Sequence, residues 1–177
     1  MAEMDGAMAA PQVGRVLLEG KAAKFFYADI TAMSGFNLEA LSAADRGMEE
    51  VGLVPTGDIV CFEAPGMIIR GYGAPGRNTL GIHVQQVNGG VHIEFFSLFE
   101  NGASLTTTAK EEGESYPKRK IYRQVHPRLD ASPLYRKHLE GISAFEREHL
   151  TSVRLIEPDV LWTARVIDDF LVRLNSE

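Results

Sequence analysis

His83, His92 and Glu94 fall within two runs of alternating polar and apolar residues, 79–87 and 91–99, separated by an Asn-Gly pair. A two-residue turn at Asn88-Gly89 would join the runs as a hairpin, because Asn-Gly supplies the positive φ angles of a type I′ turn. That register sets Val84 against Ile93 and Ile82 against Phe95 on one face, and His83 against Glu94 and Gln85 against His92 on the other. Two imidazoles and a carboxylate on one face match the donor set of a two-histidine, one-carboxylate metal site. An ordinary solvated cross-strand pair accounts for the same residues more simply, so no metal or cofactor is assigned. His83, Gln85, His92 and Glu94 stand instead as candidate ligand contacts, and a histidine among them is the candidate general base.

Phe96 and Leu98 intrude on the polar face of the second run. That strand is therefore expected to be covered on both sides near its end, by a helix, a ligand or a second subunit. A further charged group, Lys118, Arg119, Lys120, Arg123 and Arg128, lies among Tyr116 and Tyr122 and is the candidate anion-binding segment. Glu111, Glu112 and Glu114 beside it balance the charge, and the formal net charge of −6 argues against nucleic acid or an anionic membrane as partner.

Other motifs fail on context. Gly71-Tyr72-Gly73-Ala74-Pro75-Gly76 matches Gly-x-Gly-x-x-Gly, but a strand rather than a helix follows it, and Pro75 removes a backbone donor. Glu146 and His149 have the spacing of half a di-iron site whose other half is missing, so His149 reads as a helix-terminal residue. Cys61 is the single cysteine and lies in a strand, where an inert buried thiol is expected. No motif assigns a reaction.

The elements that position these groups follow from periodicity. Residues 20–33 place Ala22, Phe25, Phe26, Ile30 and Met33 at helical spacing, which predicts a first helix. Asn37 caps a second, with Leu38, Leu41, Ala44, Met48 and Val51 inward and Gly52 as its stop. Strands 58–64 and 67–72 flank an Ala-Pro-Gly turn, a second Ala-Pro-Gly follows at 74–76, and Asn101-Gly102 leads into strand 104–109. Residues 120–125 form a sixth strand or a loop. Ser132-Pro133 and Pro158 begin two C-terminal helices, the first with Leu134, His138, Leu139, Ile142 and Phe145 in its apolar stripe.

The expected fold is α+β: an antiparallel meander sheet of five or six strands with two N-terminal and two C-terminal helices packed against it, the latter on one face. The 177 residues suit one domain over 13–177 behind a disordered leader at 1–12, which has neither the basic nor the apolar region of a secretory signal. No run is apolar enough to cross a membrane. One cysteine and no signal place the chain in the cytoplasm.

Three segments resemble an uncharacterised bacterial family. They are Gly52-Leu-Val-Pro-Thr-Gly-Asp58, the run from Glu94 to Thr108 with Phe99-Glu100-Asn101-Gly102 at its centre, and Leu134-Tyr-Arg-Lys-His138. Leu53 replaces the family's aromatic, and Asn101 its aspartate. The overlap spans about 40–140 and implies the same strand order, with no activity attached.

Three functions are compatible with this pattern, RNA binding through the 118–128 cluster ranking last. A non-enzymatic interaction or adaptor domain, homodimeric through the face bearing Phe96 and Leu98, ranks first. The alternative is a small-ligand or enzymatic pocket similar to the nuclear-transport-factor-2-like cones, although those usually place their helices before the sheet.

Overall fold

The computed structural model describes residues 15–176 except Asn88 and Glu112, so the expected leader at 1–12 lies outside the described residues. Eight strands form one sheet in chain order: β1 (Val16–Glu19), β2 (Lys24–Ala28), β3 (Val54–Cys61), β4 (Met67–Gly73), β5 (Leu80–Gln86), β6 (Val91–Leu98), β7 (Ser104–Thr108) and β8 (Ile121–Val125). All neighbours are antiparallel except β7 and β8, which are parallel. Three α-helices complete the fold: α1 (Leu38–Glu50), α2 (Ala131–His149) and α3 (Val160–Asn175). No helix among the described residues is long and apolar enough to cross a membrane.

The α+β class and the mostly antiparallel sheet are as expected; the strand count and helix arrangement are not. Residues 20–33 form no α-helix. They make the β1–β2 turn, strand β2 and a single 3₁₀ turn at Ile30–Ala32 capped by Asp29. Helical spacing over so short a window also fits a strand, and three consecutive aromatics favour the pleated surface. Pairing with β3 then buries Phe25 against Ile59 and Cys61.

Elsewhere most local signals hold. Asn37 Oδ1 accepts from Ala40 N–H at 3.0 Å to cap α1, and Gly52 follows it at φ +80°. Both Ala-Pro-Gly turns close, Met67 N–H on Ala64 and Arg77 N–H on Ala74, with Gly66 and Gly76 at positive φ. The start of α2 differs: the helix begins at Ala131 with Asp130 in the cap position and no side-chain cap bond, so Ser132 is not the cap and Pro133 falls within the first turn rather than at its first position. Asp159 Oδ1 accepts from Trp162 N–H to cap α3, just after Pro158.

The Asn-Gly turns are one residue longer than expected. Gln86 N–H donates to Gly90, and Gly89 N–H to Gln86, closing a three-residue loop whose middle residue, Asn88, lies outside the described residues. The second loop repeats the pattern, with Phe99 N–H on Ala103, Gly102 N–H on Phe99, and Gly102 at φ +80°. This is the type I turn with a glycine bulge, the next commonest hairpin closure. The register shifts accordingly: Ile82 pairs Glu94, His83 pairs Ile93, and Val84 pairs His92. Alternation misled because this sheet is covered on both faces, so neither face has to be uniformly polar.

One face carries α1 and α2, with Met48, Leu53, Tyr72, Phe95, Leu134 and Tyr135 at the contact. The other carries α3, where Ala164 and Ile167 meet Phe25, Ile59, Ile69, Ile82 and Val84. The two C-terminal helices therefore lie on opposite faces. Gly71 and Gly73 let α3 and Pro158 approach the strands closely: a Cβ on Gly73 would lie 2.7 Å from Pro158 Cβ.

The sheet curls around α3. Asp168 accepts backbone N–H bonds from Lys21, Ala22 and Ala23 in the β1–β2 turn. Arg173 Nη1 donates to the carbonyls of Gly102 and Lys120, beside β7 and β8. On a flat sheet these places are about six strand spacings apart, roughly 29 Å at about 4.8 Å each. Along α3 the two residues are separated by only about 7.5 Å.

Candidate functional site

The four candidate ligand residues divide between the two faces. His92 and Glu94 project toward α3, whereas His83 and Gln85 project toward α1, the consequence of the register. On the α3 side, parallel pairing of β8 on β7 sets Arg123 beside Thr106 and brings its Nη2 within 3.7 Å of Glu94 Oε1. His92 Nε2 is also 3.7 Å from Glu94 Oε1. The Arg123 guanidinium lies 5.9 Å from the centre of the Phe170 ring on α3. Burial holds the His92 imidazole below its ordinary pKa, opposed by the Glu94 carboxylate. The arrangement is an acidic oxygen between a base and a fixed cation, at ion-pair rather than hydrogen-bond distance. It can bind polar groups, but the described residues align no proton relay there.

His83 is fully buried, and neither ring nitrogen has a hydrogen-bond partner among the described residues. Burial lowers its pKa below the ordinary histidine value. Its cross-strand neighbour Arg70 forks onto Asp58 at 2.6 and 3.0 Å and reaches Asp45 of α1 at 3.0 Å. Tyr72 donates to the same Asp45 at 2.8 Å. Gln85 Nε2 donates to Asn37 O at 3.3 Å while Oε1 has no partner among the described residues. Gln85 also lines an open recess of about 340 Å³ with Phe36 and Asn37.

Phe96 is buried against Leu80, Ile156 and Val166, with Leu98 and Trp162 at the margin. The expected cover over this strand is thus α3 and the segment before it. The basic segment is tied down by carbonyls: Arg119 donates to Leu174 at the end of α3, and Lys120 Nζ to Asn101 O at 2.7 Å. Lys118 is exposed. A cation at the α3 terminus complements the helix dipole.

Sequence reasoning missed a buried polar network. His138 of α2 sits between Ser97 Oγ, 2.9 Å from Nε2, and Thr107 Oγ1, 2.8 Å from Nδ1. Ser97 donates its own proton to Asn78 O at 2.6 Å, so it accepts from Nε2–H, while Thr107 Oγ1 lies between the unprotonated Nδ1 and Gln124 Oε1, 3.2 Å away, with one proton for these two acceptors. Burial drives His138 down to about 3. The available signal was a histidine within an apolar helical stripe facing strands rich in serine and threonine.

Of the discounted motifs, Glu146 Oε1 accepts from Val153 N–H at 2.9 Å, and His149 ends α2 stacked 4.0 Å from Phe145. Cys61 is buried, and burial pushes its thiol up. Compared with protein-family models, curated proteins and solved structures, this chain matches none.

Proposed function

We propose that this chain is a non-enzymatic protein-interaction domain whose docking element is the edge of β1. A contrast between the two sheet edges carries the reading. The β8 edge is closed by its own chain: Ser115 Oγ accepts from Arg123 N–H at 2.8 Å and donates to Arg123 O, and Tyr116 exchanges backbone bonds with Ile121. Beyond β1 no strand pairs among the described residues. An open edge is a template for another chain, which proteins ordinarily cover or charge. Exposed apolar side chains lie on this edge and inward of it: Val16 of β1 is 41% exposed, Tyr27 of the adjoining β2 42%, and Phe62, just after β3, 70%. Phe62 lies 6.5 Å from the half-buried Phe26 ring.

The test replaces Tyr27 with a photoreactive benzoylphenylalanine and irradiates cells expressing the full chain. A discrete crosslinked protein species is the expected result. Absence of any adduct, with the benzoylphenylalanine at position 27 exposed in the purified variant, overturns the reading.

A further inference from the structure

Two residues apart on β5, His83 and Gln85 project to the same face, toward α1. His83 is fully buried and Gln85 is 1% exposed, yet Gln85 Oε1 and both His83 ring nitrogens have no hydrogen-bond partner among the described residues. Buried polar atoms are nearly always paired, because leaving one unpaired is costly. Turning the Gln85 amide over does not help. Its Nε2 donates to Asn37 O at 3.3 Å, and the turned amide would set oxygen against oxygen there. Oε1 is thereby fixed as an acceptor, and Nε2 keeps a second N–H.

Gln85 borders a recess of about 340 Å³ between the start of α1 and the end of β5, lined also by Gly35, Phe36, Asn37, Gln86 and Gly89. Small-molecule sites begin at about that size, roughly 300–1,000 Å³. Half-buried Phe36 supplies an apolar wall. No Lys or Arg is among the lining residues, and the adjoining first turn of α1 carries Glu39. An anion finds no counter-charge in such a recess, so its ligand is neutral. We infer that the recess binds a small neutral carboxamide: the ligand's N–H donates to Gln85 Oε1, its carbonyl accepts the second Nε2–H, and its apolar body rests on Phe36. The same pairing of acceptor and donor lets a glutamine amide read the amino and ring-nitrogen edge of adenine. The site lies on β5, away from the β1 edge, and does not depend on the docking role of that edge.

Heteronuclear amide NMR of the nitrogen-labelled full chain tests this, with benzamide as the probe and benzoate as its isosteric control. Benzamide should shift the Gln85 side-chain amide signals and the backbone amides of Phe36, Asn37 and Gly89 saturably. Benzoate sets only oxygens against Oε1 and should bind about 10-fold or more weakly, as should benzamide to Gln85→Leu. If circular dichroism shows that Gln85→Leu does not fold, the contrast between benzamide and benzoate on the wild type decides alone. Absence of a saturable shift by about 10 mM benzamide, an equal response to benzoate, or shifts that map away from β5 and the start of α1 would each overturn the site.

Discussion

Asp168 and Arg173, five residues apart on α3, hold opposite ends of the sheet: the carboxylate accepts three N–H bonds from the β1–β2 turn, and the guanidinium reaches the carbonyls of Gly102 and Lys120. The carboxylate contacts measure 2.8–3.0 Å and the guanidinium contacts 3.4 Å. Short charge-assisted bonds contribute more than long ones. Asp168→Ala should therefore cost about 2–3 kcal/mol in urea unfolding, and Arg173→Met about 1 kcal/mol. Equal losses would contradict this ranking.

The buried His138 sets an acid limit. Unfolded, it takes up a proton near pH 6.5; folded, only near about 3. Between those values the unfolded chain binds more protons, so stability falls as pH is lowered, by up to about 1.4 kcal/mol per unit. His83, depressed by burial, acts in the same direction. In NMR titration the His138 ring signals should stay flat from pH 8 to about 4, and a titration near 6.5 would contradict the buried network.

Close approach of α3 depends on a missing side chain at Gly71. A Cβ there would collide with Thr163 Oγ1 and lie 2.8 Å from Thr56 Oγ1. Gly71→Ala should destabilise by about 1–3 kcal/mol, by forcing α3 away from the sheet. Gly76, with open space around its Cβ position but φ +73°, should lose less, about 1 kcal/mol on change to alanine. Thermal melts of the two variants decide the order.

Arg70 forks onto buried Asp58, whose Oδ2 also accepts from Ile30 N–H at 3.0 Å. Removing the cation alone leaves that carboxylate buried and unpaired. Arg70→Met should cost about 3–5 kcal/mol, whereas Arg70→Met with Asp58→Asn should recover a large part of it. A double-mutant cycle in chemical denaturation shows whether the two changes are coupled; simple additivity would refute the pairing.

Much of the architecture was legible locally. The cap Asn37, the stop Gly52, and the prolines and glycines at 65–66 and 75–76 act through neighbouring backbone geometry, and each does in the fold what its residue type dictates. Strands β4 to β7 matched their expected ranges to within about two residues, the usual scatter of element ends, and of the two readings of 120–125, strand or loop, the strand is found, as β8. The candidate ligand set was not legible, because its composition depended on one residue of loop length. A three-residue closure carries His83 to α1 and His92 to α3.

From β4 to β7 and in α1 the sequence by itself determined where the chain turns, which segments are extended and where the helix is capped, since those choices are made by φ preferences and hydrogen bonds within a few residues. Only the tertiary structure decided that residues 24–28 pair with β3 rather than coil, that α2 and α3 take opposite faces, and that the sheet curls around α3. Those outcomes rest on burial between segments far apart in the chain. Phe25 is buried by Ile59 and Ala164, and Asp168 is satisfied by a turn 145 or more residues away. No local pattern can register a partner at that distance.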